Sequence, residues 1–465
     1  DTWVFDPRVR RWSRRATPAA PSPRANARLR ADGEGRLVLE GGYVYTSSTV
    51  YLAAQYRAAP GRWVYDPAAD RWSGPGLEPA NDRAYREGPF RPEDFLQGPR
   101  PDRAATDRRL KALPANTWVA LNPPHRPHLN RGWGKVALDP RDDLVLLWGG
   151  GHSAHGGTDV AHYHLATNRW EQTVPVSFPL GQLFTSHRYP EGYTFNGRPW
   201  ITTHSYNAYG YAARPGTMVF GGRVFHDYVY DPVAADWVGR FDKARAMQDK
   251  RPYFDVVMEA AGDDLYAWSR TGGLFVLNPR GDGWIRVLSP QAGMPRVLVD
   301  QSGMLYDDRR DRLVFVTQTA WRKPFDGVLY LYDRSAPGPA KVETLIPANA
   351  KAAGVTAFFG RMLYDPLSDL YWMNASLPVR DPDGRLRHIA FDPRENLWVS
   401  VAVGGANIFG KRSTPDINVI NHAVDLVFDR KRGLIWAADG NGAVHVLRPD
   451  RAAMDIRPLG QVGRP

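Results

Sequence analysis

Short apolar stretches alternate with turn-forming segments along the whole chain, and one arrangement of them recurs. Clear copies pair "LVLEGG" with "RWVYDPAADRW", "LVLLWGGG" with "AHYHLATNRW", and "TMVFGG" with "DYVYDPVAADW". Each copy holds an apolar strand that ends at glycines, a loop, an aromatic strand, a turn and a tryptophan. A further apolar strand precedes the unit, as in "GKVALDPRDD". Since aromatic and β-branched runs between turn signals predict strands, each unit predicts four of them.

Repeated four-stranded units are typical of β-propellers. We count seven copies, which begin near residues 27, 134, 201, 254, 302, 361 and 422. The repeat resembles the kelch family, in which a glycine pair ends the second strand and a tryptophan begins the fourth. That tryptophan is present at Trp72, Trp170, Trp237, Trp284 and Trp398. The resemblance implies an all-β fold, a single seven-bladed kelch-like β-propeller of four-stranded antiparallel blades over residues 24–460.

Two segments stand outside the repeat. Residues 1–12 form a third and fourth strand without a first and second, so we expect them to close the ring by pairing with the last blade. An eighth, truncated blade is the alternative. Residues 73–133 are rich in Pro, Arg and Asp and show little periodicity. They predict an insertion between blades one and two that ends in a strand at "NTWVAL".

Composition narrows the possible chemistry. The chain has 44 glycines, 39 prolines and 12% aromatic residues, which fits many short strands and tight turns. It has no cysteine, so disulfides, thiolate metal sites and cysteine nucleophiles are excluded. No apolar run approaches the ~18 residues of a membrane span. The net charge of +11 favours an anionic partner, although a GC-rich genome is an alternative source of the many arginines.

Four of the 12 histidines fall within "GGGHSAHGGTDVAHYHL". In a kelch-type blade, the loops between strands two and three emerge on the same face as the connections between blades. This places His152 and His155 at the mouth of the channel, with His204 and Tyr206 of the next blade beside them. The same construction adds residues of the third to seventh blades and of the connections between them: Tyr209, Arg223, Arg251, Tyr253, Trp321, Arg322, Lys323, Arg412 and His422.

Metal binding is an open alternative for these histidines. "HSAH" and "HYH" have spacings that can bind zinc, and His187 or His204 would supply a third ligand. Zinc and calcium are the candidate ions, and the metal ligands stay unassigned. The other interpretation is that each imidazole is a loop or core histidine bound to a backbone carbonyl.

Histidines, arginines and an ionisable tyrosine at one mouth suit β-elimination on a uronate polysaccharide. The carboxylate charge must be neutralised, a base must remove the C5 proton, and an acid must protonate the leaving oxygen. Cationic donors provide the neutralisation, and a tyrosine flanked by cations can act as base and then acid. Hydrolysis would need two facing carboxylates, and the predicted mouth offers no convincing pair. No cofactor is required.

The run "LLWGGGHSAHGGTDVAHYHLATNRW", followed by "HSYNAYGY" and "MVFGG", resembles two blades of the propeller-fold polysaccharide lyases, above all the ulvan lyases. The match covers roughly residues 134–237. It implies that His152, His204 and Arg223 neutralise the carboxylate and that Tyr206 is base and acid. The sequence departs from the family at His155, where a tyrosine is common. Rivals for the base are Tyr209, Tyr211 and Tyr253.

The main alternative is a non-catalytic propeller that binds an anionic glycan or protein. A copper-radical oxidase is excluded because its cofactor needs a cysteine, and sialidase-type turns are absent. We expect an anionic polysaccharide as partner and no membrane. We also expect no nucleic acid, because the aromatics lie mainly at blade-core positions. On the functional interpretation we expect a monomer that is secreted or periplasmic, with its leader removed.

Overall fold

Nearly every regular element of the described chain is a β-strand. The computed structural model describes residues 2–6, 8, 11–15, 17–22, 24, 26–45, 56–79, 102–123, 135–149, 158–172, 194–195, 197–200, 205–221, 226–247, 256–270, 273–295, 297, 302–318, 325–336, 341–353, 362–373, 379–381, 384–408, 424–439 and 442–460. Within them lie helix Arg103–Lys111 and 3₁₀ turns at Arg245–Met247, Pro290–Ala292, Ala350–Ala353 and Arg451–Ala453. No helix in these ranges is long and apolar enough to span a membrane.

The strands form seven sheets of at least four strands, numbered here in chain order. Sheet 1 contains Arg28–Ala31, Leu37–Glu40, Arg62–Asp66 and Arg71–Ser73. Sheet 2 contains Val136–Asp139, Leu144–Trp148, Val160–His164 and Arg169–Gln172. Sheet 3 contains Tyr209–Ala212, Thr217–Phe220, His226–Asp231 and Asp236–Asp242. Sheet 4 contains Val256–Ala261, Asp264–Ser269, Gly273–Leu277 and Trp284–Leu288.

Sheet 5 is formed by consecutive strands, whereas sheets 6 and 7 include strands from other parts of the chain. Sheet 5 contains Ser302–Asp307, Arg312–Thr317, Leu329–Asp333 and Glu343–Leu345. Sheet 6 contains Met362–Asp365, Leu370–Met373, Leu386–Asp392, Leu397–Ala402, Asp455–Pro458 and the short Val379–Arg380. Sheet 7 contains Asp425–Asp429, Leu434–Ala438, Val444–Leu447, Thr117–Ala120 and Gly404–Gly405.

Smaller antiparallel pairs complete the described strands. Thr2–Asp6 pairs with Arg11–Arg15, and Ala19–Ala20 pairs with Glu78–Pro79. Tyr43–Tyr45 pairs with Tyr56–Ala58, and Thr194–Phe195 pairs with Arg198–Pro199.

The all-β fold and the seven blade-like sheets are confirmed, and the number and type of the sheets are consistent with seven propeller blades. The first strands of sheets 2 to 7 lie side by side in chain order, and the first strand of sheet 7 returns to that of sheet 2. These six strands therefore make a closed circuit around an axial channel. Buried apolar clusters fill the spaces between neighbouring sheets, as propeller packing requires.

Sheet 1 stands apart from this circuit. Its first strand, Arg28–Ala31, is exposed at every residue, whereas the first strands of the other sheets are mostly buried. Within the described chain, no apolar cluster contains a residue before Leu110. Sheet 1 packs instead with the N-terminal hairpin, where the Trp72 indole donates to the Thr2 hydroxyl at 2.6 Å. The ring is thus built from the second to seventh predicted blades.

The described residues of the predicted closing segment, 1–12, do not pair with the last sheet. Thr2–Asp6 pairs with Arg11–Arg15, and strand Thr117–Ala120 takes the closing position by pairing antiparallel with Val444–Leu447. The Trp118 indole donates to Nε2 of His388 in sheet 6 at 2.9 Å. The end of the predicted 73–133 insertion therefore supplies the closing strand, since it covers an edge that sheet 7 would otherwise expose.

Two parts of the repeat explain why these sheets form. Each Asp-Pro or similar turn is held by its aspartate, as when Oδ1 of Asp139 accepts from the Arg141 amide at 3.0 Å. The closing tryptophans join neighbouring sheets: Trp170 donates to Gly442 O at 2.9 Å, and Trp398 donates to Gly327 O at 2.8 Å. The tryptophans are therefore structural, as the sequence indicated.

Candidate functional site

The glycine run of sheet 2 begins against the inner segment of sheet 3. Gly149 has a φ of 75°, in the left-handed region that favours glycine. A Cβ at this position would lie 2.6 Å from the Ser205 hydroxyl oxygen. Only glycine fits this approach without displacing Ser205. The segment that carries His152 and His155 therefore starts beside the residue that follows His204.

The far end of the same segment also meets sheet 3. Thr158, fully buried, accepts a hydrogen bond through its carbonyl oxygen from the Trp237 indole at 2.8 Å. Residues 150–157 lie outside the described residues, but both of their flanks contact sheet 3. The sequence pattern predicts that the segment of His152 and His155 and the segment of His204 lie at one channel mouth. In the structure, the residues that border these two segments lie next to each other.

Tyr206 has an unusual backbone in this region. Its φ is 44°, whereas the other described non-glycine residues with positive φ are Asn, Asp or Ala. A bulky side chain in the left-handed region carries backbone strain, and such strain is concentrated at functional sites. The ring is partly exposed and packs against the apolar cluster between sheets 2, 3 and 4. Tyr206 is therefore held in a costly conformation with part of its surface accessible.

The other described tyrosines of this segment are placed differently. Tyr209 is fully buried, and its hydroxyl donates to the carbonyl oxygen of Trp148 at 3.2 Å. In this conformation it has no surface to offer a substrate. Tyr211 accepts from Nε of Arg141 at 2.8 Å, and burial raises the pKa of its hydroxyl. Among Tyr206, Tyr209 and Tyr211, Tyr206 is the best placed to meet a ligand.

Most of the predicted site lies outside the described residues. These residues are His152, His155, His204, Arg223, Arg251, Tyr253, Trp321, Arg322, Lys323, Arg412 and His422. Their roles stay predictions.

The "HYH" pair of the zinc hypothesis has other partners. The Tyr230 hydroxyl lies 2.7 Å from Nε2 of His162, and burial lowers the pKa of His162 to about 4, with His164 contributing. His164 pairs with Glu171 at 2.8 Å. Within the described ranges, no three His, Asp or Glu side chains come together as a metal site. His152, His155, His187 and His204 fall outside those ranges.

The axial channel holds polar residues that the sequence did not single out. Six inner strands enclose a cavity of about 510 Å³. Asn207, next to Tyr206, accepts from the Met258 amide at 2.8 Å through its carbonyl. The Met258 carbonyl in turn accepts from Nζ of Lys135 at 2.8 Å. A continuous hydrogen-bonded path thus leads from the Tyr206 segment to Lys135.

Lys135 also lies 3.4 Å from a carboxylate oxygen of Glu259. Burial in the channel raises the pKa of Glu259 to about 7, although Lys135 lowers it, and nearby Asp425 raises it further. Asp425 accepts from the Val136 amide at 2.8 Å. These single charges within apolar strands carry no loop or glycine signal, which is why sequence patterns missed them.

Comparison with known proteins assigns neither a family nor a function to this chain. No family model matches the sequence, and no curated protein matches it. A structural genomics protein of unknown function from Bacteroides thetaiotaomicron VPI-5482 is similar at 11% identity, over 94% of this chain and 99% of that chain, with a TM-score of 0.41. A chain of a Mitotic Checkpoint Complex is similar at 10% identity, over 73% and 94%, with a TM-score of 0.39. At these low TM-scores neither similarity indicates a function.

Proposed function

We propose that the protein is a polysaccharide lyase that cleaves a uronate-containing anionic polymer by β-elimination. The observation that carries this proposal is the strained, partly exposed Tyr206 beside the contact of Gly149 with Ser205. That contact supports the proposal because it brings together the borders of the segments that hold His152, His155 and His204. The resemblance to ulvan lyases supports the same reaction class.

In the proposed reaction, His152, His204 and Arg223 neutralise the uronate carboxylate, which acidifies the C5 proton. The Tyr206 phenolate takes that proton. The electron pair of the broken C5–H bond forms a C4=C5 double bond while the C4–O bond breaks. Tyr206 then donates its proton to the departing glycosidic oxygen and returns to the phenolate. Cations around Tyr206 would favour that phenolate.

The chemistry of hydrolysis is less well supported. A glycosidase needs two carboxyl groups that face each other across the scissile bond. Glu259 and Asp425 lie in the axial channel, where Lys135 and a backbone amide engage them. We therefore favour elimination, with a ligand-binding propeller as the alternative from a different functional class.

The test combines a panel of uronate polymers, sulfated and unsulfated, with the ultraviolet absorbance of the new C4=C5 bond. We expect one polymer to give unsaturated products. Tyr206→Phe should lower kcat by at least about 100-fold, because it removes the proton-transfer group, and leave polymer binding in place. Tyr330→Phe, at another partly exposed tyrosine in sheet 5, serves as the matched control and should keep full activity.

The outcomes separate the two classes of function. Polymer binding without unsaturated product from any member of the panel would establish the binding propeller and exclude the lyase. Full activity in Tyr206→Phe would leave elimination standing and transfer the role of base to another residue.

A further inference from the structure

The axial channel has the dimensions of a small-molecule site. Its cavity of about 510 Å³ falls within the usual range of about 300–1,000 Å³ for such sites. Leu138, Leu363 and Val427, on three different inner strands, line it and are each partly exposed. They form an apolar wall that could cover the body of a compact organic molecule.

The channel is lined by more carboxylates than cationic groups. The lining contains five carboxylates, Glu259, Asp263, Asp308, Asp425 and Asp429, and three cationic groups, Lys135, Arg430 and Lys431. Arg430 pairs with Asp308, and Arg432 pairs with Asp429 at 2.8 Å, so the negative charge that matters for a ligand lies around Glu259 and Asp425. A local excess of one sign of charge attracts ligands of the other sign.

The excess of carboxylates over cationic groups is concentrated around Glu259. The ammonium group of Lys135 forms an ion pair with Glu259 at 3.4 Å and also donates a hydrogen bond to the Met258 carbonyl oxygen at 2.8 Å. Asp425 raises the pKa of Glu259, while its own contact is with the Val136 amide. A second cation beside Glu259 would complete the pairing of these two carboxylates. The same cavity therefore contains both a carboxylate that can pair with a second cation and an apolar wall.

We propose that the axial channel binds a small organic cation, a primary ammonium carried on a compact apolar body. The ammonium group pairs with Glu259, and the apolar body lies against Leu138, Leu363 and Val427. This site does not include Tyr206. The proposal therefore does not depend on whether the protein is a lyase.

Isothermal titration calorimetry with cyclohexylammonium tests the proposal on the full chain. Cyclohexanol and cyclohexanecarboxylate, of similar shape, should bind at least about tenfold more weakly because they lack the positive charge. A bound cation lowers the pKa of Glu259, so binding at pH 7 should release protons, seen as a dependence of heat on the buffer. At pH 9 Glu259 is already ionised and the release should vanish.

Two variants probe the two halves of the site. Glu259→Gln keeps the shape and should weaken cyclohexylammonium at least about tenfold and abolish proton release. Val427→Phe fills the channel without changing charge and should also block binding. Glu395→Gln, at an exposed position, is the control and should bind like the original protein. Equal binding of all three compounds, no binding of the amine, or unchanged binding in a folded Glu259→Gln protein would each overturn the proposal.

Discussion

Single residues decide how closely sheets 2 and 3 approach each other. Gly149 has both a left-handed φ of 75° and a neighbour, Ser205, where a Cβ would stand. Gly197 has the same φ of 75° with nothing within 4 Å of its would-be Cβ. A comparison of Gly149 with Gly197 therefore separates the free-energy cost of backbone strain from that of steric contact.

We predict that Gly197→Ala costs about 1–2 kcal/mol in the free energy of unfolding, from backbone strain alone. Gly149→Ala should cost about 1–3 kcal/mol more, because its methyl group also meets Ser205. Adding Ser205→Gly to Gly149→Ala should recover the steric part and leave the strain. Urea unfolding of the four proteins measures all three quantities. Equal costs at the two glycines would show that the contact with Ser205 is not tight.

At the scale of elements, strand Thr117–Ala120 closes the ring and depends on a neutral histidine. The Trp118 indole donates to Nε2 of His388, which must be unprotonated to accept. Burial lowers the pKa of His388 to about 3. The folded protein therefore binds fewer protons than the unfolded chain between about pH 6.5 and pH 3.

We predict that the stabilisation from His388 is complete above about pH 6.5 and declines as the pH falls towards 3. His388→Gln keeps an acceptor for Trp118 and cannot be protonated, so its unfolding free energy should fall less between pH 7 and pH 4. His162, with a pKa of about 4, adds to the decline in both proteins. The control is His226→Gln, at a partly exposed histidine outside the buried clusters. Identical pH slopes for His388→Gln and the original protein would contradict the assignment.

The sequence predicted the elements well and their connections poorly. The turns after Asp139 and the tryptophans such as Trp170 mark strands by local chemistry, so the seven sheets could be found. Pairing of Thr117–Ala120 with Val444–Leu447 joins distant parts of the chain, and no local pattern encodes it. One available signal was overlooked: the first strand of sheet 1, Arg28–Ala31, alternates arginines with small or apolar residues.

The candidate site was predictable to a similar extent. The glycine run and the order of strands predict that His152 and His155 lie beside His204 and Tyr206. In the structure Gly149, which borders that segment, lies against Ser205, whereas His152, His155 and His204 lie outside the described residues. Which tyrosine of the segment is buried depends on packing between sheets, so the burial of Tyr209 could not be read from its position. Lys135 and Glu259 could not be recognised as channel residues from the sequence, because the channel forms only when the six inner strands pack around it.

At the scale of the whole molecule, the described chain divides into a ring and an N-terminal unit with its own contacts. The N-terminal unit, residues 2–79, is joined internally by the bond of Trp72 with Thr2 and the ion pair of Arg15 with Asp70 at 2.7 Å. The ring is held by sheets 2 to 7 and by Thr117–Ala120.

We predict that removing residues 1–79 leaves the ring folded, with its thermal unfolding midpoint almost unchanged. Trp118→Ala in the full chain should instead destabilise the ring by about 3–5 kcal/mol, because it empties a buried site at the closure. Differential scanning calorimetry compares the two. Loss of the ring transition on removal of residues 1–79 would show that the N-terminal unit is an integral blade.

The origin of the closing strand has a consequence for biosynthesis. Thr117–Ala120 leaves the ribosome before sheets 2 to 5 are made, yet its partner Val444–Leu447 is translated after them. The ring therefore closes only after sheets 2 to 5 have been translated, and until then the early strand has no partner for this edge. Such late, distant pairing slows folding and exposes the nascent chain to aggregation, so chaperone supply should limit the yield of this protein.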